Sequence, residues 1–208
     1  MRALMPYDTH DLDSLHRPAG SARKLVNEST ANLVAGRSCD DCAMCCMLFD
    51  IPSLDKKAGT WCSHCVGRQR CGAYDARPQE CRDFFCHYRL DTAVPEAWKP
   101  SRSSMAIRSD PTGIAIVVYV DPDHPDVWRN EPYYSDLKAW SRNRIAAGRQ
   151  VHVRTQGRTI VILPDRDVDL GVVGTRVIVA QKKFTMSGFT TDFELVEPGD
   201  PRVARLAP

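Results

Sequence analysis

The sequence predicts an α+β protein: a small cysteine-rich N-terminal module followed by an α+β module with an antiparallel sheet. Three observations point there. All nine cysteines lie between Cys39 and Cys86. From Met105 onward, β-branched runs and turn dipeptides alternate with one helical pattern. The 208 residues are 43% hydrophobic and 26% charged, the balance of a folded chain long enough for one ordinary domain or two small ones.

Each element follows from local chemistry. Residues 1–20 hold Pro6, Pro18 and Gly20 without hydrophobic periodicity and read as a flexible tail. Leu25, Val26, Leu33 and Val34 share one side of an expected short helix over 22–34. Pro52 and Gly59 divide the cysteine segment into two blocks. Pro78 suits the first position of a helix, where its missing N–H would be unpaired anyway, and that helix is expected to reach about residue 90. Pro95 and Pro100 mark a stiff connector. Asp110-Pro111-Thr112-Gly113 is turn chemistry before an apolar strand over 114–120. Pro132 precedes an expected helix carrying Tyr133, Leu137, Trp140 and Ile145, closed by Gly148. Residues 151–155, the pair Gln156-Gly157 and residues 158–163 read as a hairpin, with further strands over 177–180 and 189–196. The expected division is a tail over 1–20, a cysteine-cluster module over 21–95, an α+β module over 101–198 and a tail over 199–208.

Charge and compartment narrow the chemistry. Lys and Arg number 28 against 26 Asp and Glu, and a net charge of +2 argues against a coat for nucleic acid or an anionic membrane. No secretory pattern opens the sequence, and the longest apolar run, 114–120, falls far short of the roughly 20 residues of a membrane span. The expected location is cytoplasmic, with no membrane partner. In a reducing cytosol, clustered thiols hold a metal or do redox chemistry more often than they form structural disulfides.

The first cysteine block is Cys39-Asp-Asp-Cys42-Ala-Met-Cys45-Cys46; the second is Cys62-Ser-His-Cys65, then Cys71, Cys81 and Cys86. Two-residue gaps let paired thiolates converge on one ion, as in zinc sites, so all nine are candidate ligands of a metal-bound module. Neighbouring side chains diverge by about 100° around a helix and oppose one another on a strand, so Cys45 and Cys46 are expected to serve different metals, or one to serve none. Eight thiolates fill two four-sulfur sites and leave one spare. Cys39, Cys42 and Cys45 are also spaced like the first three ligands of a bacterial ferredoxin run. The run's fourth position is Phe49, so a [4Fe–4S] cluster would draw its fourth thiolate from the second block. Thiolate donors suit zinc and iron alike. Arg37, Arg68, Arg70, Arg77, Arg82 and Arg89 are placed to offset thiolate charge, although solvated surface is the plainer reading of any one of them.

CxxCxxCC over 39–46, followed by Cys65 and then Cys71, Tyr74, Arg77-Pro78 and Cys81-Arg82, resembles the CxxCxxCC cysteine-cluster (YkgJ-type) family, described as zinc- or iron-chelating domains. The resemblance covers 39–86, about a quarter of the chain. It implies Cys39, Cys42, Cys45, Cys46, Cys65, Cys71 and Cys81 as ligands, with Cys62 and Cys86 as additions shared by part of the family. Ala73 departs from the larger aliphatic residue usual before the tyrosine, which touches local packing and not the ligands.

Other residues carry weaker signals. His64 and His87 are candidate ligands or hydrogen-bond donors to them. Asp40 and Asp41 read as turn residues, Tyr74 as a thiolate partner or a core ring, and Phe84-Phe85 as a cover that keeps water away. Residues 137–164 hold Lys138, Arg142, Arg144, Arg149, Arg154 and Arg158 and no acid. That stretch could face a phosphate, but a charged helix face and hairpin edge account for it more simply, so nucleic acid is disfavoured as a partner. The expected function is a metal-binding protein holding zinc, or iron, through clustered thiolates and presenting a surface to a protein partner. The alternatives are an iron–sulfur protein of electron transfer or of a modifying enzyme, and a thiol–disulfide or metal-trafficking protein. No catalytic motif assigns a reaction.

Overall fold

The computed structural model describes residues 33–185 and 188–203. The expected tail over 1–20 and nearly all of the expected helix over 22–34 lie outside them; Leu33 and Val34 are not helical.

The cysteine segment is built from short pieces: helix α1 (Met44–Leu48), a hairpin of β1 (Cys65–Val66) and β2 (Arg70–Cys71), helix α2 (Gln79–Asp83) and helix α3 (His87–Leu90). The single helix expected from Pro78 to about residue 90 is two helices. Phe84 is extended (φ −88°, ψ 122°), and Cys86 leads into α3 with φ −71° and ψ 155°. The break lets Phe84, Phe85 and Cys86 all turn into one cavity, which a continuous helix would prevent by spreading them around its axis.

Helix α4 (Pro100–Ser103) leads into a five-stranded sheet of β3 (Met105–Ser109), β4 (Ala115–Val120), β5 (Gln150–Thr155), β6 (Arg158–Ile162) and β7 (Asp167–Asp169), ordered as numbered. The expected antiparallel sheet is mixed: β4 pairs with β5 in parallel, and the other three pairings are antiparallel. Helix α5 (Tyr133–Ile145) makes the crossover between those two strands, as a parallel connection requires. β5 and β6 form the expected hairpin, with Gln156 and Gly157 at φ 48° and 75°, the left-handed pair that a tight two-residue turn demands. Strands β8 (Val177–Thr185) and β9 (Gly188–Val196) make a separate antiparallel ribbon and do not extend the large sheet.

The register divides the large sheet into two faces. Met105, Ile107, Ile116, Val118, Val120, Val151, Val153, Ile160 and Ile162 point to one core with Trp98, Trp128 and Leu137 of the connector and helix layer. The opposite face carries Ala106 and Tyr119 against Met44, Leu48 and Phe49 at α1, and Val161 against Phe193 of the ribbon. The sheet therefore lies between α5 and the cysteine segment. β4 is buried on both faces, which is why it reads as a nearly continuous apolar run.

His152 lies on the cysteine-facing side, 6% exposed, with Nε2 2.7 Å from Gln150 Oε1. Burial, reinforced by the charge of Arg154, pushes its pKa down to about 4. A depressed folded-state value means that neutral His152 favours the fold above its unfolded value of about 6.5, and that this contribution is lost as pH falls through 4. Wild type is expected to lose up to about 3 kcal/mol more than His152→Gln between pH 7 and pH 4. Urea midpoints at the two pH values check this; parallel losses in both proteins would show that His152 titrates freely.

Candidate metal centre

Local geometry delivers the thiols one by one. Cys42 N–H donates to the Cys39 carbonyl at 3.1 Å, closing a turn ahead of α1. Cys45 and Cys46 then fall on different sides of that one-turn helix; Cys46 is buried and Cys45 is exposed. The backbone N–H of Cys62 donates to the carbonyl of Cys46 at 3.0 Å, docking the second block onto the first. Cys65 and Cys71 face each other across the β1–β2 pairing. Gly72 follows, and a side chain there would meet Val66 Cγ2 at 2.8 Å, so the chain needs glycine to pass. Cys81 rides on α2, and Cys86 caps α3.

The nine thiols fall into two neighbouring sets. In the first, Cys39, Cys42, Cys45 and Cys86 line one cavity; burial is the main cause raising Cys42 and Cys86, and thiolate charge on Cys39 adds to both. In the second, Cys46 and Cys62 are buried together, with Cys65, Cys71 and Cys81 packed against them. Cys45 and Cys46, adjacent in sequence, join the sets, and the protonation of each thiol is linked to the other. The neighbouring Cys45 thiol and the positive charge of Lys56 hold Cys46 down at about 7, and the same interaction with Cys46, together with burial, keeps Cys45 well above the usual thiol range. Burial pushes Cys42 up to about 11 and raises Cys65, Cys71, Cys81 and Cys86. Among the described residues, no three His, Cys, Asp or Glu side chains stand as a ready-made metal site.

Cations surround the sulfurs. Arg89 donates from Nη1 to Cys39 Sγ at 3.0 Å. Lys56 is 7% exposed and donates to the carbonyls of Met47 at 2.9 Å and Phe49 at 2.5 Å, at the end of α1 beside Cys46. Burial lowers its pKa, opposed by the thiolate charges of Cys46 and Cys62. Sequence inspection passed over this lysine, because a Lys-Lys pair in a polar loop ordinarily marks surface. The other arginines serve the backbone or aromatic rings. Arg37 binds the carbonyls of Tyr88, Asp91 and Val94 at 2.5–2.9 Å, Arg77 stacks 3.8 Å from the Tyr74 ring centre, Arg82 caps the Arg77 carbonyl at 2.8 Å, and Arg68 lies 5.4 Å from Trp61. His87 Nε2 pairs with Ser109 Oγ at 3.1 Å, and Asp41 with Lys99 at 2.7 Å. His64 is exposed.

A cavity of about 350 Å3 lies between the sets, lined by every cysteine except Cys62 and Cys65. Phe49, Phe84 and Phe85 form its apolar wall, and Arg77 and Arg108 reach it. The donor set fits a thiophilic metal: sulfur ligands in a group of four and a group of five, offset by nearby cations. Cys39, Cys42, Cys45 and Cys86 would hold one centre, and four of the remaining five thiols the other. Among the described residues no helix is long and apolar enough to cross a membrane. No family model matches the chain, and neither a curated protein nor a solved structure matches it.

Proposed function

We propose that this chain is a metal-binding protein of the CxxCxxCC cysteine-cluster type, holding zinc or iron at two thiolate centres. What supports this most is the gathering of cysteines from both blocks: Cys62, Cys65, Cys71 and Cys81 pack with Cys46, while Cys39, Cys42, Cys45 and Cys86 line a cavity beside them. Bound zinc would supply a fixed tetrahedral node; an iron–sulfur group would supply a one-electron couple. The protein's own part is to gather the sulfurs, offset their charge with Lys56 and Arg89, and exclude water with Phe49, Phe84 and Phe85.

One observation favours iron–sulfur at the first centre. Three thiols of a ferredoxin-like run and the remote Cys86 line a cavity of about 350 Å3, which Cys46, Cys71 and Cys81 also reach. A lone zinc ion, with sulfurs at about 2.3 Å, leaves no such hollow. Anaerobic purification followed by metal, acid-labile sulfide and visible-spectrum analysis separates the cases. Zinc without sulfide supports zinc at both centres; iron with matching sulfide and a visible band that bleaches on reduction supports a cluster. A metal-free native protein with nine freely titrating thiols overturns both.

A further inference from the structure

We propose that a second cleft, on the cysteine-facing side of the sheet, binds a small phosphate-bearing anion. This goes beyond the metal centres, although the cleft shares Arg108, Phe49 and Asp50 with the cysteine-lined cavity. The cleft measures about 520 Å3, within the range of roughly 300–1,000 Å3 usual for small-molecule sites. It opens at the carboxyl ends of β4 and β5, the parallel pair, where diverging loops leave a crevice that ligands commonly occupy.

The register sets Arg108 and Arg154 on strands to either side of Tyr119, and all three line the cleft. Ala106 pairs with Tyr119, and Tyr119 with Arg154, so these side chains share a face. Arg108 stands two residues beyond Ala106 on β3 and therefore points to the same face. Arg154 donates from Nη1 to the Tyr119 hydroxyl at 3.3 Å and lies over that ring at 5.5 Å. Arg108 is half-buried over the rings of Phe49 and Phe84, at 5.5 and 5.9 Å. Among the described residues neither arginine has a carboxylate partner. A third, Arg158, lines the cleft but is held by Asp169 at 2.8 Å. The cleft's one carboxylate, Asp50, accepts the Ala58 N–H at 2.9 Å.

Two uncompensated forks converging on a concave, partly apolar surface call for an anion with several acceptor oxygens. Phosphate meets both forks at once, whereas a single carboxylate saturates one. The basic stretch over 137–164 is thus not one surface: Lys138 is bound to Asp167 and the Leu163 carbonyl, while Arg154 and Arg158 turn to this cleft.

Calorimetric titration of the full chain with pyrophosphate, with acetate as the single-carboxylate arm, tests the site. Metal content is matched across variants. Saturable pyrophosphate binding is expected, weakened about tenfold or more in R108Q and in R154Q. It should be unchanged in R142Q, whose arginine is exposed on α5. If R108Q fails to fold, R154Q decides, since Arg154 is exposed. No saturable binding, acetate bound as tightly as pyrophosphate, or equal weakening in R142Q would each overturn the site.

Discussion

Replacing Cys46 by serine is expected to weaken metal binding at the second thiolate set, of which it is a buried member, and to loosen residues 39–90 while most of the large sheet keeps its protection. Cys46 sits at the centre of that set: buried, packed with Cys62, Cys65, Cys71 and Cys81, and joined through its carbonyl to the Cys62 N–H. The elements around it run five residues or fewer, too short to persist without a shared anchor. A structural thiolate–metal site contributes on the order of 10 kcal/mol, comparable with the whole stability of a typical domain, about 5–15 kcal/mol. Hydrogen exchange before and after chelation, and in Cys46→Ser, reads the result region by region. Fast exchange confined to 39–90 is the expected pattern, because the other face of the sheet still rests on Trp98, Trp128 and Leu137. Full metal occupancy and unchanged exchange in Cys46→Ser would remove Cys46 from the ligand set. Uniform loss across both regions would make the chain one cooperative unit.

Trp98→Ala is expected to destabilise the protein by about 3–5 kcal/mol. The ring is 1% exposed, lies 4.7 Å from Trp140 and 5.0 Å from Tyr133, and donates from Nε1 to Asp136 at 2.8 Å. The truncation leaves a cavity between α5 and the connector and strips the Asp136 carboxylate of its donor. Trp98→Phe keeps most of the packing and loses the hydrogen bond, so it should fall between wild type and alanine. Urea denaturation measures all three; a change below about 1 kcal/mol for alanine would mean that the surroundings collapse into the space.

What the sequence made legible was local. Spacing among the cysteines identified the candidate ligands, and Gln156-Gly157 identified the β5–β6 hairpin because only a few residue pairs accept two left-handed positions. Partnering was not local, and there the outcome differed. The order strand, helix, strand over 114–155 leaves open whether the chain returns parallel or antiparallel; the packing of Leu137 and Ser141 onto the sheet decides it. Nothing in 177–196 says that its strands pair only with each other. The break at Phe84–Cys86 was hidden because those residues are compatible with helix, and only the tertiary cavity draws them apart. Arg37 was read as a surface charge or a thiolate neighbour, yet it ties carbonyls more than fifty positions away.

The placement of α1 against Ala106 and Tyr119 has a consequence for biosynthesis. Every thiol leaves the ribosome before the first strand that shelters it, and completing the chain through β6 takes on the order of ten seconds more. During that interval the cysteine segment stands without its roof, so under the proposed function an ion would meet its ligands before the sheet closes over them.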